Sequence, residues 1–325
     1  MRNNFLLALE NEPHDSTPVW YMRQAGRFLK EYRDLRKKVS MNQLCSDPAL
    51  ASKISYDAAR ILDVDAAIIF SDIVTPMENM GYAIAYEEGK GPVLSKVNDE
   101  RSDHISKAAL AIERYKKDHK DVPVIGFAGA PFTILTYVEE NKTRDITQTR
   151  QNIYSGKKSS YEMIGRISSL IQEEVRLQIE AGADSIQIFD SWIGYMDPSY
   201  AEQIIKKYVS PIFKVIKKLG VHGIYFSTMT SGIPGILKES GADFLSLDWR
   251  ANLSDFDQTE AGLQGNLDPY LLLYSPEDAI RRAIEIVHSM KSRSNYIFNL
   301  GHGILPETDV SQVLNLTKAV RSVKL

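Results

Sequence analysis

Short apolar runs rich in β-formers alternate with helical stretches along the whole 325-residue chain, and that alternation leaves few folds open. The runs fall at 19–22, 66–70, 122–127, 185–189, 223–226, 244–247, 263–265 and 296–299. Between them, helix starts are marked by caps. Asp47-Pro48 opens one helix with Leu50, Ile54, Ala58 and Ile61 on one face, and Asp197-Pro198 opens another. Ser275-Pro276-Glu277-Asp278 resembles a capping box with proline in the first turn. The spacing of Ile164, Ile167, Ile171 and Val175 predicts a helix over 160–180, stopped at Gly182. Segments 236–240 and 252–259 leave room only for short helices. Eight strands, each followed by a helix, predict an α/β fold: a (β/α)8 TIM barrel in one domain spanning 1–325, with a doubly wound sheet as the alternative. No low-complexity linker or shift of composition divides the chain.

Charge and cysteine content narrow the function. The formal net charge is −3 and one cysteine, Cys45, falls in a predicted loop. A lone cysteine excludes an intramolecular disulfide and a cysteine-rich metal site, and it fits a reducing, cytoplasmic setting. The N-terminal residues carry too short an apolar run and too many acids for a signal peptide. No run is long enough to span a membrane, and the slightly acidic balance argues against nucleic acid. A local basic stripe remains compatible with a small polyanion.

That stripe lies within 18–36, PVWYMRQAGRFLKEYRDLR, and continues into Lys37 and Lys38. Arg33, Arg36, Lys37 and Lys38 read as a solvated helix face paired with Glu31 and Asp34. Arg23, coming directly off a predicted strand, and Arg27, in a turn broken by Gly26, read differently. Fixed guanidinium groups there grip carboxylates or phosphates through paired hydrogen bonds. A barrel places chemistry at the C-terminal ends of its strands. Those ends carry Arg23, Asp72, the loop before Tyr137, Asp190-Ser191, Asp248-Trp249-Arg250, Asn266 with Asp268, and His302. Asp72, flanked by apolar residues, is poorly solvated and needs donors. Ser191 lacks the Gly-x-Ser-x-Gly elbow of a hydrolase nucleophile, so it reads as a hydrogen-bonding residue. His302 sits between two glycines, and none of the six histidines has the spacing of a zinc site.

Six ordered motifs carry a family likeness: MRQAGR followed by EYR, then FSDI, GFAGAPFTILTYVEE, IQIFDSW, QGNLDP and NLGHGILP. From about residue 5 to residue 320 the chain resembles the uroporphyrinogen decarboxylase family. The resemblance implies cofactor-free and metal-free loss of CO₂ from the four acetates of uroporphyrinogen, giving coproporphyrinogen. It implies that Arg23, Arg27, Asp72, Tyr137, Ser191 and His302 line the cleft, with Asp72 and Arg23 catalytic, and that the protein is a homodimer. The chain departs from the family pattern at Lys30, where proline is usual, in VEENKTR after Tyr137, and at 226–230. Two rivals stand beside this reading. A zinc-dependent methyl-transferring barrel needs His and Cys ligands at strand ends, and a non-catalytic tetrapyrrole carrier has no need of Asp72.

Overall fold

Parallel pairing between successive apolar runs organises the chain. The structure, a computed structural model, describes residues 3–86, 91–100, 103–140, 146–256 and 259–324. The strands are β1 (Ala67–Ile68), β2 (Tyr82–Tyr86), β3 (Pro92–Lys96), β4 (Val124–Gly129), β5 (Ser185–Asp190), β6 (His222–Ser227), β7 (Phe244–Ser246), β8 (Gly262–Leu267) and β9 (Tyr296–Leu300). Seven of them form one parallel sheet in the order β1-β4-β5-β6-β7-β8-β9. The remaining two, β2 and β3, pair antiparallel as a separate hairpin that the apolar pattern does not predict. Helical segments join the parallel neighbours, as parallel pairing requires. After β6 and β7 they shrink to Pro234–Leu237 with a 3₁₀ turn, and to Leu253–Phe256, as the spacing predicts.

The predicted strand at 19–22 is reduced to one bridge, Val19 to Phe298. It nonetheless occupies the eighth position. Phe298 N donates to Pro18 O at 2.9 Å on one side, and Asp65 N donates to Val19 O at 2.8 Å on the other. The segment therefore lies between β9 and the run into β1, closing the curled sheet as a (β/α)8-type barrel. No ladder forms because side chains take the next backbone donors. Tyr21 N donates to Gln24 Oε1 at 3.2 Å, and Met22 N donates to Asn299 Oδ1 at 3.2 Å.

Inside the barrel the core contains a polar layer as well as apolar contacts. Trp20 Nε1 donates to Gln264 Oε1 at 2.8 Å, while Gln264 Nε2 donates to Gln187 Oε1 at 2.9 Å and to Ser246 Oγ at 2.7 Å. All four side chains are buried, so these bonds offset the cost of removing the polar groups from water. Around the barrel, the helix Lys158–Glu180 turns Ile164, Ile167, Ile171 and Val175 inward, each with no exposed surface. Each such side chain stabilises the fold by about 1.5–3 kcal/mol on area grounds. The helix stops where Gly182 takes φ +101° and donates to Ile179 O at 2.9 Å. Asp47 and Asp197 cap their helices as expected. Ser275 does not: its hydroxyl donates to Asp278 Oδ2 at 2.8 Å, so the expected capping box is absent.

Candidate active site

Two side-chain clamps fix the turn after Met22. Gln24, fully buried, accepts from Tyr21 N and donates through Nε2 to Ala66 O at 3.2 Å. Asn299 Oδ1 accepts from Met22 N and from Leu300 N, and Ile304 N donates to Met22 O at 2.9 Å. Between these clamps Arg23 takes φ +61°, a conformation that costs a non-glycine residue about 1 kcal/mol and persists only where its surroundings impose it. The side chain then lies on Gly303, whose added Cβ would stand 2.4 Å from Arg23 Cδ. On the other flank of His302, a Cβ on Gly301 would stand 2.4 Å from Trp249 N. The two glycines around His302 thus make room for Arg23 and for the backbone after β7.

Asp72 follows β1 and is half-buried. Its Oδ1 accepts from Val74 N at 3.2 Å, and Arg23 contributes a favourable field, but burial dominates and raises the carboxyl above the usual range. Tyr137, on the helix Pro131–Glu140, is pushed up to about 12 by burial and by the charge of Asp72, so its phenol stays protonated at neutral pH. His302 is pushed down to about 4 by burial, assisted by the positive charges of Arg23 and Arg250, so its imidazole is neutral there. Arg23, Asp72, Tyr137 and His302 therefore form one electrostatically coupled group at the barrel mouth. The His302 ring also meets Phe226, with centroids 6.2 Å apart.

Arg27 is exposed on the same turn as Arg23 and lies near Tyr32, whose ring meets Phe70 at 5.8 Å. Ser191 opens the loop after β5, where its carbonyl accepts from Thr228 Oγ1 at 2.7 Å. Other cations of the basic stripe are committed elsewhere. Arg33 donates to Arg27 O at 2.8 Å, and Lys30 and Lys37 both bind Asp34. Cys45 lies in the helix Met41–Ser46 and not in a loop, and its burial pushes the thiol up to about 12. Among the described residues, no group of three or more His, Cys, Asp or Glu side chains is placed to hold a metal ion.

The family model described as uroporphyrinogen decarboxylase (URO-D) matches residues 1–323. This chain belongs to the uroporphyrinogen decarboxylase family. Proteins named uroporphyrinogen decarboxylase from Picrophilus torridus and Thermoplasma acidophilum are 38% and 37% identical to it, the alignments covering 98% and 99% of this chain and 99% of each relative. A third, from Chloroflexus aurantiacus, is 37% identical, covering all of this chain and 97% of its own. Among solved structures, a methyltransferase from Methanosarcina mazei superposes with a TM-score of 0.75 at 18% identity, covering 98% of this chain and 97% of its own. That likeness concerns the fold alone.

Two departures from the uroporphyrinogen decarboxylase pattern have a structural reading. Lys30 is the first residue of the helix Lys30–Arg36, a position equally open to proline. At 226–230, Met229 takes φ +60° and donates its N–H to Asp248 Oδ2 at 2.9 Å, so a buried carboxylate sets that turn. The third departure falls partly at 141–144, outside the described residues. Arg250, named among the strand-end residues but not in the cleft set that the resemblance implies, belongs to the His302 environment. It pairs with Asp248 at 2.7 Å and stacks over Trp249 at 4.2 Å. Its signal was the Asp-Trp-Arg run at the end of a predicted strand.

Proposed function

We propose that this chain is a cofactor-free uroporphyrinogen decarboxylase. It converts the four acetate side chains of uroporphyrinogen III to methyls, giving coproporphyrinogen III in haem biosynthesis. One observation carries the reading: a poorly solvated Asp72 carboxylate beside Arg23 at the barrel mouth of a chain of this family. Each acetate leaves as CO₂ and one proton is taken up in its place. Protonation of the pyrrole ring carbon next to the one that bears the acetate makes the ring an electron sink, because the acetate-bearing carbon stays conjugated to the cation. The C–C bond then breaks, its electron pair flows toward the ring to leave an exocyclic methylene, and CO₂ departs. The methylene carbon takes a proton to become methyl and the ring carbon releases the proton it gained, for a net uptake of one. Positive charge develops on the pyrrole as the ring is protonated, and the Asp72 carboxylate, facing the pyrrole N–H groups, stabilises it. Its own desolvation makes the interaction stronger than it would be in water.

Arg23 supplies the proton side of the reaction, and with Arg27 it holds the substrate's carboxylates. Tyr137 is a protonated donor and His302 is neutral at working pH, so both orient substrate groups without adding charge. Ser191 hydrogen-bonds a side-chain carboxylate. The protein acts as a single-domain, cytoplasmic homodimer, and among the described residues no helix is long and apolar enough to cross a membrane. Sedimentation should give about twice 36.6 kDa, and monomer alone at micromolar concentration would remove the dimer from the proposal.

The deciding experiment incubates protein, dialysed against a chelator, with uroporphyrinogen and follows coproporphyrinogen by chromatography. Conversion with no added cofactor is expected. Binding without turnover would favour a tetrapyrrole carrier, and activity lost to chelator but restored by zinc would overturn the mechanism.

A further inference from the structure

The inward face of the β2–β3 hairpin ends on a buried hydroxyl. Exposure along β2 follows the strand period: Ala83 and Ala85 are exposed, Ile84 is buried, and Tyr82 and Tyr86 are half-buried on the face of Ile84. That face packs on the turn Thr75–Met80, which follows Asp72 in sequence. Asn42 Nδ2 donates to Ile84 O at 3.2 Å and ties the hairpin to the helix Met41–Ser46. At the near end of β2, Tyr82 is covered by the Lys96 ammonium, 5.5 Å from its ring centroid. At the far end, opposite Pro92, the Tyr86 hydroxyl is buried with no hydrogen bond of good geometry, and it lies against the Asp72 carboxylate. Phenylalanine would fill the same apolar space without stranding a donor, and an unpartnered buried hydroxyl is destabilising. Packing alone gives no reason for the oxygen.

We propose that Tyr86 is a positioning residue for Asp72: its hydroxyl, delivered by the hairpin from outside the barrel, donates to the ionised carboxylate and turns it toward the substrate. The inference rests on the role given to Asp72 above. Asp72 is faced by Arg23 from the first turn, by Tyr137 from the helix Pro131–Glu140, by Tyr86 from β2 and by the Cys45 thiol from the helix Met41–Ser46. Glu78, bound to Lys107 at 2.6 Å, adds its charge to the surroundings of Tyr86 and Cys45. Within this set Arg23 and Tyr137 stand on the barrel and can turn to the substrate. Tyr86 comes from the hairpin, which lies outside the seven-stranded sheet, so it acts through Asp72. A hydrogen bond to the charged form favours ionisation, opposing the burial that disfavours it.

The test is Tyr86→Phe in the full chain, which keeps the ring and the hairpin packing. Expected is an acid limb of the kcat/KM profile moved up by about 1 pH unit and a kcat at pH 7 lowered about 3- to 10-fold, with KM changed less than about twofold. The second measurement needs no substrate: a carbon-13 titration of the Asp72 carboxyl, assigned with Asp72→Asn, should move upward in the phenylalanine variant. Superimposable pH profiles together with an unmoved carboxyl titration would overturn the proposal, whatever happens to the melting temperature. Should the wild-type protein not turn over uroporphyrinogen, the functional reading fails by itself. The titration then decides alone whether Tyr86 holds Asp72.

Discussion

Replacing Asp190 by asparagine isolates the cost of one buried charge. Asp190 ends β5 with no exposed surface, and it accepts from Thr133 Oγ1 and from the Tyr225 hydroxyl, both at 2.7 Å. Burial outweighs both hydrogen bonds and pushes its carboxyl up to about 6 from an ordinary value of 3.8. Between those pH values the folded protein keeps a proton that the unfolded chain has released. Stability from this group is therefore fully present below the lower value and lost as pH rises through the higher one. About two pH units at 1.36 kcal/mol each put the loss at about 3 kcal/mol. Asparagine has no such titration. Its Oδ1 still accepts from Thr133, while its amide against Tyr225 costs about 1 kcal/mol of rearranged hydrogen bonding at every pH. Urea unfolding of both proteins at half-unit steps from pH 4 to 7.5 measures the difference directly, because other titrating groups cancel. Relative to wild type, the variant should gain about 2–3 kcal/mol in stability between the two ends of that range. Parallel curves would refute the reasoning, since they would mean that Asp190 ionises in the fold without penalty.

Three further outcomes follow from the site. Asp72→Asn should lower kcat about a hundredfold or more while raising KM less, and Asp72→Glu should retain more activity than Asn. Because burial disfavours the ionised Asp72, the asparagine variant should melt no lower than wild type at pH 7, and a folded variant with near-normal kcat would sink the catalytic assignment. Arg27→Ala should chiefly raise KM and Arg27→Lys should recover only part of it, whereas unchanged kinetics in both would make Arg27 a surface residue. Gly303→Ala sets a methyl 2.4 Å from Arg23 Cδ, so kcat/KM should fall roughly 10- to 100-fold as Arg23 is displaced. Full activity in that variant would show Arg23 to be idle.

Seven of the eight predicted strands carry the sheet, because a buried parallel strand needs apolar residues over only a few positions and those runs are unambiguous. The segment at 19–22 is as apolar as the others, yet it makes one bridge. Its remaining donors go to Gln24 and Asn299, two polar side chains whose roles depend on where the rest of the barrel brings them. The hairpin escaped because β2 alternates small and large residues, YAIAY, instead of forming a run, and its stability comes from packing on the turn after Asp72. Asp72, His302 and Arg23 were legible because an acid, a histidine and an arginine at strand ends are hard to explain as packing. Arg250 stands at a strand end too, but only its place beside His302 shows its part in the site. Tyr86 was not legible, since it is defined by a contact between distant segments. The expected loop at Cys45 is a helix because Ser40 and Gln43 form the capping box that starts it, a signal carried by two polar residues outside any apolar pattern.

The stave that carries Arg23 is held by the last strand. Val19 bridges to Phe298, Met22 takes its acceptor from Asn299, and Gly303 provides the surface on which the guanidinium stem rests. During synthesis the residues of the first turn therefore leave the ribosome long before the residues that shape them. Asp72, Tyr137 and Ser191 can be set in place as their own strands pair in sequence order, but the arginine waits for the closing strand. The surroundings of the first arginine are thus the last to be made, and a chain cut short before residue 296 would lack Phe298, Asn299 and Gly303, the residues that hold that turn in place.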